Sequence, residues 1–172
     1  MTHEAFGDVA TLPSRLMGNL DRHEVYGPRL YGGTTDPYLG DDGEAVGMWS
    51  RKGHWIRGMA RFRFFGDNIS AGSGQYRISL PYPVDYSVVA GSGTIGAGTC
   101  LGVGRIRDNS TSANNSDVFL QPPAEATQAN VVYMVPTNGN VSVSDSSPFT
   151  WAELDRITVR FAYPADPTGL PR

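Results

Sequence analysis

Gly91-Ser92-Gly93-Thr94-Ile95-Gly96 has the G-x-G-x-x-G spacing that cradles a dinucleotide pyrophosphate, and it follows an apolar stretch, Tyr86 to Ala90, that reads as a short strand. That chemistry needs a helix to begin inside the motif, so that the pyrophosphate meets the helix N-terminus. Here Ala97-Gly98-Thr99-Cys100-Leu101-Gly102-Val103-Gly104 follows, a poor helix former, and the segment reads as a Gly-rich β-turn. His3, His23 and His54 have no second His at metal-ligand spacing, so they read as surface or interface residues. Asp36, Asp41, Asp42 and Glu44 crowd one loop, but not at the D-x-D-x-D-G spacing of a calcium loop, and read as a solvated acidic turn. Cys100 is expected to be a buried, inert thiol in a strand, because a reactive one needs a thiolate-stabilising setting. There is no G-x-S-x-G elbow. Nothing points to the paired carboxylates of glycoside hydrolysis, although such pairs form in space rather than in sequence. The expectation is a protein that is not an enzyme and has no catalytic, cofactor or metal site.

The elements that would carry any site must fit one domain of 172 residues. With 21 Gly and 12 Pro, the chain calls for many tight turns and argues against a helical bundle. Charged residues are 18% and the net charge is -3, which speaks against a general nucleic-acid binder, since phosphate neutralisation needs a basic excess. No apolar run is long enough to span a membrane, and no basic segment followed by an apolar core opens the chain. A single cysteine excludes an intrachain disulfide. All the basic residues but Lys52 are Arg, the mark of a GC-rich coding genome.

Residues 1–28 are expected to form an N-terminal docking arm. Leu12, Leu16, Met17 and Leu20 are its apolar contacts, and the last three have helical spacing within Ser14 to Asp21. A frayed terminus is the plainer alternative. Residues 29–164 are expected to form an antiparallel β-sandwich, and 165–172 an extended tail. Strands are expected at Tyr26 to Tyr31, Met48 to Ser50, Trp55 to Phe65, Tyr76 to Leu80, Thr99 to Arg107, Val118 to Gln121, Asn130 to Val135, Asn140 to Val143 and Ile157 to Tyr163. Short strands with turn signals at this density are the signature of an all-β sandwich or barrel.

Trp55 to Phe65 is the clearest strand. Ile56, Gly58, Ala60, Phe62 and Phe64 share the face expected in the core, with Ile78, Leu80, Val132, Ile157, Val159 and Phe161 as further core residues. The opposite face carries Trp55, Arg57, Met59, Arg61 and Arg63. Trp55, Arg57, Met59 and Arg61 are the candidates for an oligomer interface, where Arg and Trp are enriched. The alternative is a wetted sheet face with Arg stems lying over Trp55. Asp108, Asn109, Ser110, Asn114 and Asn115 belong to a polar loop without an apolar anchor, expected to be an exposed contact loop.

Several segments together carry a resemblance. Thr34-Thr35-Asp36-Pro37-Tyr38-Leu39-Gly40 is similar to a T-x-P-x-L-G stretch. Gly47-Met48-Trp49-Ser50-Arg51-Lys52-Gly53 and the strand from Trp55 follow it. Ala71-Gly72-Ser73-Gly74-Gln75-Tyr76-Arg77-Ile78-Ser79-Leu80-Pro81 comes next, and Pro148-Phe149-Thr150-Trp151-Ala152 stands near the end. From about Tyr31 to Tyr163 the chain resembles the β-sandwich modules of tailed actinobacteriophages known as minor tail proteins. In such modules a Gly-Asp pair often follows P-F-T-W-A. Here Glu153-Leu154-Asp155 keeps the Asp and loses the Gly, which puts the tight turn in question.

The resemblance implies a jelly roll similar to trimeric tumour-necrosis-factor or C1q-like heads. It implies a structural virion surface protein assembled in the host bacterial cytoplasm, with no cofactor. The expected partners are further copies in a homotrimer, other virion proteins of tail or capsid, and a host-surface glycan touched by the loops. Neither nucleic acid nor membrane is expected as a partner. A capsid decoration protein is the alternative to a tail-tip component, and a glycan depolymerase is a further one.

Overall fold

The computed structural model describes residues 23–90, 99–109, 115–124, 130–138, 141–166 and 168. The apolar arm residues Leu12, Leu16, Met17 and Leu20 lie outside them, as do the possible helix at 14–21, the Gly-rich motif at 91–98, and Ser110 and Asn114.

The expectation of an all-β antiparallel fold holds. Nine strands form one curled antiparallel sheet in the order β1-β3-β4-β9-β6-β7-β8-β5-β2. They are β1 (Glu24–Tyr26), β2 (Leu30–Tyr31), β3 (Glu44–Lys52), β4 (Trp55–Arg63), β5 (Arg77–Ser79), β6 (Gly102–Arg107), β7 (Asn115–Gln121), β8 (Val131–Pro136) and β9 (Arg156–Pro164). The C-terminal strand β9 sits centrally, paired along its whole length with β4 and along six residues with β6.

The sheet curls far enough for consecutive strands to occupy its two opposite edges. β1 pairs with β3 at one edge and β2 with β5 at the other, yet only Gly27, Pro28 and Arg29 separate them. Three residues reach on the order of 10 Å, so the two edges lie close and the chain bridges the seam of a half-barrel. Arg29 fixes this bridge, donating its backbone N–H to Ser79 Oγ (2.8 Å) and accepting from the Ser79 N–H (2.9 Å). Pro28 explains why the expected single strand Tyr26 to Tyr31 is two: it lacks the N–H needed to continue a ladder. β1 also lies within the stretch expected to be an arm, and residues 24–26 are paired in the sheet.

Inside the curl is one core. Ile56, Phe62, Phe64, Ile78, Leu80, Val132, Ile157, Val159 and Phe161 are all buried, as their alternation requires. Tyr76, Ile106, Leu120, Met134 and Tyr163 complete its fully buried centre. Small residues make room for large ones: a Cβ at Gly58 would lie 2.6 Å from the Phe161 ring, and one at Gly47 2.2 Å from the Tyr26 ring.

Two expected strands differ. Tyr86 to Ala90 is a single helical turn, α1 (Tyr86–Val89), because Asp85 caps it by accepting from the Ser87 and Val88 N–H groups. Residues 141–143 form no strand; Val143 instead bonds singly to both neighbours, with its carbonyl accepting from the Tyr76 N–H (2.7 Å) and its N–H donating to the Met134 carbonyl (3.0 Å).

Candidate interaction face

Residues directly opposite in an antiparallel ladder project from the same face, so the register fixes what the outer side of the sheet displays. One row runs Val25–Met48–Met59–Arg160–Val103–Phe119–Val135 across seven strands, from β1 to β8. Val25 is 80% exposed, Val103 53%, Met48 45% and Phe119 44%. A second row runs Val46–Arg61–Thr158–Arg105–Asp117, and a third Glu44–Arg63–Arg156–Arg107–Asn115. The outer face is therefore an apolar row bordered by arginine rows.

The expected interface residues fall on this face. Trp55, Arg57 and Arg61 are exposed and Met59 is half-buried. Trp55 lies at the β3–β4 hairpin end, next to His54, with ring centroids 6.4 Å apart. The sequence reading missed that β3, β6 and β7 extend the same surface through Met48, Val103 and Phe119. The signal was present as period-2 alternation in Gly102-Val103-Gly104-Arg105-Ile106-Arg107, which places Val103, Arg105 and Arg107 on one side.

Two shallow depressions flank Arg160. One, of about 640 Å³, is lined by Val103, Arg105, Asp117, Thr158 and Arg160 among others. The other, of about 400 Å³, is lined by His23, Met48, Ser50, Arg57, Met59 and Arg160. Both are open to solvent and fit surface side chains of a partner rather than an enclosed small molecule.

Charge on this face is unbalanced. Seven arginines (57, 61, 63, 105, 107, 156 and 160) share it with two carboxylates, Glu44 and Asp117. Both carboxylates are engaged at the flanks. Glu44 accepts from Arg61 at 3.0 Å, and Asp117 accepts from Arg105 through both oxygens at 2.8 and 3.2 Å. The Arg105 guanidinium holds the Asp117 carboxyl below the ordinary aspartate range, and its own pKa is raised in return. Arg63 lies over the Phe65 ring, 3.9 Å from its centroid. Arg57, Arg107, Arg156 and Arg160 have no carboxylate within ion-pair distance among the described residues. Like charges directly opposite across strands are destabilising, and Arg63, Arg156 and Arg107 stand in one such row.

The opposite charge is gathered at one end of the molecule. The loops 34–43 and 64–70 are zipped together by backbone bonds: Tyr38 N–H to the Ser70 carbonyl (2.8 Å), Ser70 N–H to the Tyr38 carbonyl (3.0 Å) and Asp41 N–H to the Asp67 carbonyl (3.1 Å). Asp36, Asp41, Asp42 and Asp67 are all exposed there, with no basic residue in either loop. Asp41 accepts from Tyr38 Oη and from Asn68 Nδ2, each at 2.9 Å, and this bond raises the Tyr38 phenol pKa. Among the described residues no three His, Cys, Asp or Glu side chains are placed to hold a metal.

The polar loop is less free than expected at its base. Asp108 is 6% exposed, not a surface contact. Asn109 donates its N–H to Asp155 Oδ1 (2.9 Å) and its Nδ2 to the Leu154 carbonyl (2.7 Å), which pins it. Asn115 is exposed at the start of β7. Cys100 is exposed rather than buried, because the β6 ladder begins at Gly102 and Leu101 takes the buried position; its Sγ lies 2.9 Å from the Gly102 carbonyl oxygen.

No protein-family model, no curated protein and no solved structure matches the chain.

Proposed function

We propose that this chain is a structural protein of a tailed-bacteriophage virion, a minor tail component that meets its neighbours through the outer face of the sheet and takes no catalytic part. The observation that carries this reading is the outer-face row Val25–Met48–Met59–Arg160–Val103–Phe119, exposed except at the half-buried Met59 and bordered by arginines. Exposed apolar side chains gathered on one face, Val25 and Met48 on one side of Arg160 and Val103 and Phe119 on the other, mark a protein contact, and Arg, Met and aromatic residues are the types enriched in such contacts. The segments that carry the family resemblance support it. Gly72 to Tyr76 and Pro148 to Ala152 meet in the core through Tyr76 and Trp151, so they serve the scaffold. Three copies assemble together, with other virion proteins and a host-surface glycan as the outside partners.

The test is quantitative mass spectrometry of purified particles of the phage that encodes the chain. A handful of copies per particle, co-fractionating with tails, is the expected result. Hundreds of copies on tailless heads would make it a capsid decoration protein instead, and absence from particles would overturn the reading.

A further inference from the structure

We propose that copies of this chain associate head to tail, the arginine-rich outer face of one receiving the acidic loop tab of the next. This goes beyond the virion reading, because it is a property of the isolated protein. The face holds seven arginines and two carboxylates, both already engaged at its flanks. Arg107 and Arg156 stand in its end row, where β3 begins and β4 ends, and Arg160 stands mid-face; all three are exposed, with no carboxylate within ion-pair distance among the described residues. Guanidinium groups in this setting select carboxylates, which they bind through paired N–H donors.

The same chain supplies the complement. Asp36, Asp41, Asp42 and Asp67 project from two loops that their backbone bonds hold as one tab. Tyr38, 49% exposed on that tab, is an aromatic side chain for the apolar row of the receiving face. The tab lies at the end of the molecule where β3 begins and β4 ends. A tab-to-face contact is therefore heterologous, and heterologous contacts close into rings when the rotation allows. An isologous contact of two such faces would set arginine row against arginine row, a juxtaposition that suppresses pairing. The occupant is therefore the opposite-charged tab of a second copy.

Sedimentation velocity on the full chain tests this. Association is expected at low salt and should weaken at least about tenfold on going to high salt, since exposed charge pairs are screened. The pair Arg107→Glu and Arg156→Glu in one chain should leave it monomeric. So should the pair Asp42→Arg and Asp67→Arg in another, with far-UV circular dichroism confirming that each is folded. Should either reversal fail to fold, the neutral Arg156→Gln and Asp42→Asn should each weaken association at least about threefold. Mixing the two reversed proteins is the discriminating step. Alone, each reversed protein has a face and a tab of the same sign, but each protein's tab is opposite in charge to the other's face, so mixed association is expected. A wild type that is monomeric at every salt concentration, charge variants that associate like wild type, or a mixture that stays monomeric would each overturn the proposal. None of these outcomes depends on whether the chain is found in virions.

Discussion

The rings of Tyr76 and Trp151 meet in the core with centroids 5.5 Å apart, joining two segments that lie far apart in the chain. Trp151 also stacks on Phe64 at 5.0 Å and packs against Phe149 at 4.9 Å. Its indole N–H donates to the Ser144 carbonyl at 2.8 Å, and the Tyr76 hydroxyl donates to the Ala71 carbonyl. The cluster fastens the start of β5 and the approach to β9 onto the end of β4. Trp151→Ala should cost about 3–5 kcal/mol, the usual scale for truncating a large buried aromatic. Tyr76→Phe, which keeps the ring and leaves the carbonyl unpaired, should cost about 1–2 kcal/mol. Urea denaturation of both variants measures the difference.

The turn after Trp151 shows how the chain manages without a glycine. Leu154 takes φ = +74°, in the left-handed region that glycine occupies without strain. Asp155, fully buried, holds the turn by accepting from the Ala152 N–H (2.8 Å) and the Asn109 N–H (2.9 Å), while the Leu154 N–H donates to the Phe64 carbonyl (2.8 Å). Leu154→Gly should therefore stabilise the protein by about 0.5–1 kcal/mol, the relief of strain exceeding the added freedom of the unfolded chain. Asp155→Ala should destabilise it by about 2–4 kcal/mol, as two charge-assisted bonds are lost in a buried place. Thermal unfolding of the two variants should move in opposite directions.

Much of this was readable in the residues. Period-2 alternation placed Ile56, Phe62, Phe64, Ile78, Leu80, Val132, Ile157, Val159 and Phe161 in the core correctly, because burial of one face leaves a strand no other register. It also put Trp55, Arg57, Met59 and Arg61 together on the opposite face. The rest depended on distant partners. That Val103 and Phe119 extend the β4 surface follows from β9 lying between β4 and β6, a pairing that no local pattern encodes. The burial of Asp108 and the exposure of Cys100 depend on where the β6 ladder begins and ends, which propensity places only to within a few residues. The charge segregation was hidden by the net value of -3, which adds a cationic face to an acidic tab and reports neither.

Three phenols should report on folding at alkaline pH. Burial raises the pKa of Tyr26, Tyr76 and Tyr163 well above the ordinary range, and the Asp145 charge adds to the effect at Tyr76. A pKa raised in the folded state gives stability that is complete below the unfolded value of about 10 and is lost as pH rises beyond it. Ultraviolet difference titration should show these phenols ionising only as the protein unfolds. Smooth ionisation near pH 10 of all eight tyrosines in the folded protein would show that the three are not shielded.

Asp117 behaves in the opposite sense. Its pKa is lowered mainly by the bond from Arg105, so its contribution is present above the ordinary aspartate range and is lost as pH falls through it. In a carboxyl-detected titration, Arg105→Gln should move the Asp117 transition upward to an ordinary aspartate value. An unmoved transition would mean the pair does not persist in solution.

Immunogold labelling of intact particles of the encoding phage, with antibody raised against the full chain, bears most directly on the proposed role. Gold confined to the tail is the result expected of a minor tail component. Gold spread over the heads, or particles that carry none while the free protein labels well, would contradict it.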